Sequence, residues 1–358
     1  MSAALTPAAD LAWTRELPRR VPEFLARLEG PNGFYRYSLT GDLHGPEVRW
    51  GLGNTVFAVK SLASLGKLAG LPPERRAELA RFILSFRRDD GLLSDPLVVR
   101  KSGLRNKLLC LRTGDFSNFF NGRVRSAETR QALLSLALLG HAAPEPAENL
   151  PASPEAALAW LESLDWTRPW AAGSHFSPLL YFYYLKPGAG AALAAAVEWA
   201  RRGQREDGAW GRGALSAREK LNGAMKVLTG LTVAGAGAAP MPERLVDLCL
   251  ASGHEGDACD QLNAAYVLRH AAAAAPAYRA AETAAWAAAR LDGLRRYYHP
   301  RHGGFSFHPG RANTHYYGAR LSRGLAEPDV HGTSLLLWGV SLLAPLAGAD
   351  CGLREVPA

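Results

Sequence analysis

HEGDACDQLNAAYVLRHA, residues 254–271, decides how the chain is read. It sets Asp257 and Cys259 two positions apart at the head of an apolar helix, and EPDVHGTSLLLWGVSLL, residues 327–343, repeats that layout with His331 at the polar opening. A carboxylate, a thiol and an imidazole form a set that Zn²⁺ accepts with its fourth position open, as a catalytic site requires. The plainer alternative is that Asp257 caps its helix and His331 packs in the core.

Working outward, the same form recurs. Residues 50–70, 126–140, 173–185 and 217–235 are further helices of nearly unbroken apolar character, each entered through polar residues. Between them lie amphipathic helices at 18–29, 72–88, 153–166, 189–204, 242–253 and 277–298, several with Pro at the start. Four intervals between apolar helices fall in or just below the class of about 40–50 residues seen in helical arrays. A helix apolar all round is buried on both sides, and a partner with one wet face lies outside. Six inner and six outer helices predict an all-α fold, an (α/α)6 toroid, as a single domain over residues 1–358. Insertions are expected near 97–121 and 309–328. The first reads as irregular, with Phe116, Phe119 and Phe120 as a small aromatic group.

If the inner helices run the same way, their N-termini ring one mouth. Glu128, Arg130, His175, Glu219, Asn222, Asp257, Cys259, Asp260, Asn263 and His331 all fall near the start of an inner helix and read as a pocket lining there. Positive helix ends would favour anions and lower the pKa of the Cys259 thiol. His254, Trp50, Tyr316 and Tyr317 complete the substrate-facing expectations.

The bulk composition bounds the rest. With 48% hydrophobic and 21% charged residues the chain can bury a sizeable core, and the net charge of +8 is scattered rather than gathered in a basic stripe, which argues against nucleic acid. The four cysteines have no framework spacing, no signal-peptide order opens the chain and no run is long enough to span a membrane. A reduced cytoplasmic setting is the expectation.

Several segments resemble the prenyltransferase and squalene-cyclase group of α/α toroids, most closely the β-subunit of the protein prenyltransferases. QREDGAW (204–210) is similar to that group's repeated turn, SAETRQALLSLALLG (126–140) to a helix opened by an acidic residue and Arg, GDACDQLNAAYVL (256–268) to the Asp-x-Cys helix, and GGFSFHPG (303–310) with PDVHGTSLLLWGVSL (328–342) to the closing pattern. The resemblance implies Zn²⁺ on Asp257, Cys259 and His331, activating a thiol of a peptide or other acceptor for attack on a prenyl diphosphate or similar anionic, apolar isoprenoid substrate. Two positions depart from it: Ala251 and His254 stand where the family carries the Arg and Lys of its diphosphate pocket. Three other classes remain open. One is a class II terpene-cyclase-like enzyme using Asp257-Ala-Cys-Asp260. Another is a carbohydrate-active toroid with a carboxylate pair from Glu128, Glu219, Asp257 and Asp260 and sugar-stacking aromatics among Trp50, Trp210, Tyr316 and Tyr317. The last is a non-catalytic binding scaffold.

Overall fold

The structure, a computed structural model, describes residues 11–113, 118–119, 121–142, 144 and 150–356. The described residues are mostly helical, with thirteen α-helices and four strands of two residues each.

The helices are α1 (Leu17–Leu28), α2 (Leu52–Ser64), α3 (Pro73–Leu84), α4 (Pro96–Thr113), α5 (Gly122–Leu138), α6 (Pro154–Ser163) and α7 (Pro169–Leu185). Then follow α8 (Gly190–Arg202), α9 (Ala217–Val233), α10 (Pro242–Leu250), α11 (Ala258–Ala274), α12 (Ala280–Gly293) and α13 (Val330–Leu346). Their starts follow local chemistry. Pro occupies the first turn of α3, α6, α7 and α10, where its missing N–H is not needed. Ser153, Ser216 and Asp329 accept backbone N–H groups of α6, α9 and α13 with their side chains.

Six helices are buried along most of their length, and they touch in a cyclic succession: α2 on α5, α5 on α7, α7 on α9, α9 on α11, α11 on α13, and α13 back on α2. Others lie against this set: α3 on α2 and α5, α8 on α7, α10 on α9 and α11, and α12 on α13. The core fills the joints with large side chains such as Phe24, Phe86, Phe176, Tyr266 and Phe305.

One departure from the sequence reading stands out. The segment near 97–121 is largely the helix α4, not irregular chain. Its pattern is inverted: Leu104, Leu108 and Leu111 share one face at i, i+4 and i+7 and are 71%, 59% and 64% exposed, while Ser102, Asn106 and Cys110 face inward. Phe116 and Phe120 lie outside the described residues, and Phe119 has the Lys107 ammonium 5.6 Å from its ring centre. The segment near 309–328, where an insertion is expected, is helix-free. It carries the hairpin β3 (His315–Tyr316) and β4 (Ala319–Arg320), just after a first hairpin of β1 (Tyr298–His299) and β2 (Gly304–Phe305). It is pinned to the loop before α2: Leu43 donates its N–H to Leu321, Arg323 to Gly41, and the Glu327 carboxylate accepts from Thr40 and Gly41. No helix among the described residues is long and apolar enough to cross a membrane.

Candidate functional site

At the head of α11 the chain does what a capping sequence dictates. Asp257 Oδ1 accepts the N–H groups of Cys259 and Asp260 at 2.9 and 3.2 Å, and Asp260 Oδ2 accepts the N–H of Asp257 at 3.1 Å, a reciprocal capping box. Asp260 Oδ1 also takes Arg218 Nε at 2.8 Å and Asn222 Nδ2 at 3.1 Å, and Asn222 in turn accepts from Asn263 at 2.7 Å. Thus four of the expected residues, Asn222, Asp257, Asp260 and Asn263, do come together. Three of them line a groove of about 550 Å³ with Arg218, Arg290 and His308. Burial, then the neighbouring Asp260, raises the Asp257 carboxyl above its ordinary range.

The ligand set expected around them is not assembled. Among the described residues no three His, Cys, Asp or Glu side chains gather to hold a metal ion. His331 opens α13 as expected, but its ring stacks on Phe57 at 4.3 Å and 14°, with Tyr316 and Phe307 against it. Its Nδ1 lies 3.3 Å from the Tyr37 hydroxyl. Burial, then His308, lowers its pKa to about 3, so the ring is neutral at pH 7. Cys259 also departs from expectation. Burial first, then the Asp257 charge, raises the thiol well above its ordinary value, the opposite of the expected lowering.

A second cluster forms where α5 meets the loop before α4. Glu128 is 1% exposed. Its Oε2 accepts the Asp95 N–H at 3.0 Å, while Oε1 has no hydrogen-bond partner among the described residues. Burial, then the Asp95 charge, raises the Glu128 carboxyl well above the ordinary range. Asp95 itself is saturated: Oδ2 accepts from Gly51 and Leu52 at 2.7 and 3.3 Å, and Oδ1 from Leu97 and Val98 at 2.9 and 3.3 Å. It therefore caps α2 and α4 at once. The Tyr316 and Tyr317 rings, 4.5 Å apart, sit within the field of Glu128. Tyr317 adopts φ 47°, a left-handed conformation uncommon for a bulky side chain and typical of strained functional positions.

The remaining expectations scatter. Trp50 is buried, donates to Gly45 at 2.9 Å and packs on Phe34, and Trp210 donates to Ala200, so both are structural rather than sugar platforms. Glu219 accepts the Trp170 N–H at 3.4 Å, away from Glu128 in its bonding. The His175 ring meets Trp160 edge-on, and His254 packs on Trp286 with its pKa lowered by burial and Arg290. Sequence reasoning missed Asp95, Lys60, Lys226 and Arg218. The run Ser94-Asp95-Pro96, a capping residue ahead of a first-turn Pro, was the available signal for the first.

No protein-family model matches the chain, and no curated protein matches it. Solved structures do. One is a protein from Actinoplanes, 17% identical, with 94% of this chain and 100% of that chain covered and a TM-score of 0.45. Another is a glycosidase, 17% identical, with 95% and 98% covered and a TM-score of 0.36. The expectation of a zinc-dependent prenyl transferase is corrected here. Among the described residues the carboxylate, thiol and imidazole do not gather into a metal-holding group, the imidazole is enclosed by aromatic rings, and Asp257 caps its helix. The cyclase reading fares no better, since Asp260 is held as an acceptor by Arg218 and Asn222.

Proposed function

We propose that the chain is a carbohydrate-active enzyme, a glycoside hydrolase built as one (α/α)6 toroid, with Glu128 as its general acid. The cyclic succession of α2, α5, α7, α9, α11 and α13 supports the toroid. The observation that carries the function is the Glu128 carboxyl: buried, with its pKa raised well above the ordinary carboxylate range, and with Oε1 not engaged by any described residue. A carboxylic acid kept neutral by its surroundings is the group that hands a proton to a departing glycosidic oxygen. Tyr316 and Tyr317 offer aromatic surface beside it. In that role Glu128 gives its proton to the leaving glycosidic oxygen as the bond to the anomeric carbon breaks, and water adds at that carbon and releases a proton to solvent.

Release of sugar from a panel of α- and β-linked nitrophenyl glycosides, neutral and acidic, tests this. Turnover by wild type that falls by about 10²–10⁴-fold in Glu128→Gln supports it. Undiminished turnover in that variant, or no release from any glycoside by folded wild type, sinks it.

A further inference from the structure

We propose that Arg130, Lys60 and Lys226 form an anion-binding subsite among α2, α5 and α9, and that the sugar recognised at Glu128 carries an acidic group, a carboxylate or a phosphate ester. The sugar part rests on the reading of Glu128 above, whereas the anion part stands on the cations themselves.

Arg130 projects from α5 and is 6% exposed, yet its Nε and one terminal nitrogen have no hydrogen-bond partner among the described residues. Around it the groups that feel its charge are the phenols of Tyr181, Tyr266 and Tyr317. Lys60, buried on α2, donates to Gln131 next to Arg130 in the chain and lies 5.8 Å from the Trp338 ring centre. Lys226 comes from α9 and keeps partial contact with solvent, which gives the cluster an outlet. The three act on one another: burial, then Arg130, lowers Lys60 to about 7 and Lys226 to about 8. Among the described residues no carboxylate pairs with any of them.

The lysines can shed charge by losing a proton, but the Arg130 guanidinium cannot, and its two unpartnered N–H groups away from water are strongly unfavourable, so a bound anion is the direct remedy. The free guanidinium edge has the geometry to receive two oxygens of one carboxylate or phosphate side by side. Residues two apart on a helix diverge, yet Glu128 and Arg130, both on α5, act on the same Tyr317 phenol. One molecule can therefore present its acidic group to the cations and its glycosidic oxygen to the acid.

Titration calorimetry at low salt tests this with glucuronate, glucose 6-phosphate, inorganic phosphate and glucose, on wild type, Arg130→Gln and Lys226→Met. The expected result is binding of an acidic probe but not of glucose at the same concentration, weakened at least about tenfold in either variant. The tighter of glucuronate and glucose 6-phosphate identifies the acidic group, and inorganic phosphate reports the subsite without the sugar. If Arg130→Gln fails to fold, Lys226→Met at its partly exposed position decides. Absence of binding by every acidic probe, or equal affinity in the folded variants, overturns the subsite. Anion binding that depends on these residues without release from any glycoside leaves the subsite and removes the hydrolase. Turnover of neutral glycosides as fast as acidic ones, with no anion binding, does the reverse.

Discussion

Glu128 Oε2 accepts the backbone N–H of Asp95 at 3.0 Å, and the Asp95 carboxylate extends the tie to the N–H groups of Gly51 and Leu52. One acid thus leans on another that is fully engaged by backbone, and burial first, then the Asp95 charge, raises the Glu128 carboxyl. Its folded pKa lies well above the ordinary 4.5. A raised carboxyl contributes stability that is present below the unfolded pKa and lost as pH rises toward the folded one. Wild-type melting temperature is expected to slope downward from pH 4.5 through neutrality at this group. Glu128→Gln should flatten that slope and be relatively more stable at pH 7.5 than at pH 4.5, as thermal melts across that range will read.

His331 has the opposite sign. Its folded pKa of about 3 lies below the ordinary 6.5, so folding holds the neutral ring, and that stability is present above pH 6.5 and lost as pH falls from 6.5 toward 3. Ring resonances of His331 in NMR should not titrate between pH 8 and 5. His331→Phe, which keeps the stack on Phe57, should weaken the acid-side loss of stability.

Gly332, in the first turn of α13, sits where an added methyl would run into the backbone of Ser306 and Phe307. Backbone cannot step aside as a flexible side chain does. Gly332→Ala is expected to lower stability by about 1–3 kcal/mol in urea unfolding, the range for overpacking a filled site.

Two leucines should answer very differently. Leu161 on α6 is fully buried, and Leu161→Ala should lose about 2–5 kcal/mol. Leu108 on α4 is largely exposed, and Leu108→Lys should change stability by no more than about 0.5 kcal/mol. A comparable loss at both positions would contradict the inverted face of α4.

The inner helices were legible because helices such as α13 are apolar nearly all round and announce their starts with a cap, as Asp329 does. Asp257 was legible as a helix opening, but an Asp two residues before a Cys looks the same whether it caps or binds metal. The hydrogen bonds from Cys259 and Asp260 show the cap, which only the folded chain displays. The helix α4 escaped because periodicity assumes that leucine points inward, and there Ser102, Asn106 and Cys110 do so instead. Lys60 and Lys226 were passed over as single charges within long apolar runs. Their meaning depends on Arg130, which belongs to a different helix and meets them only in the folded chain.

The contact of α2 with α13 also sets a schedule for synthesis. The carbonyl of Ser64 accepts the N–H of Arg354 at 2.7 Å, its hydroxyl donates to the Arg354 carbonyl, and these partners are 290 positions apart. At about 5–20 residues per second a ribosome takes roughly 15–60 s to supply the second after the first. For that interval one apolar flank of α2 has no native cover, so the newborn chain must be sheltered or transiently self-associated until its final helix emerges.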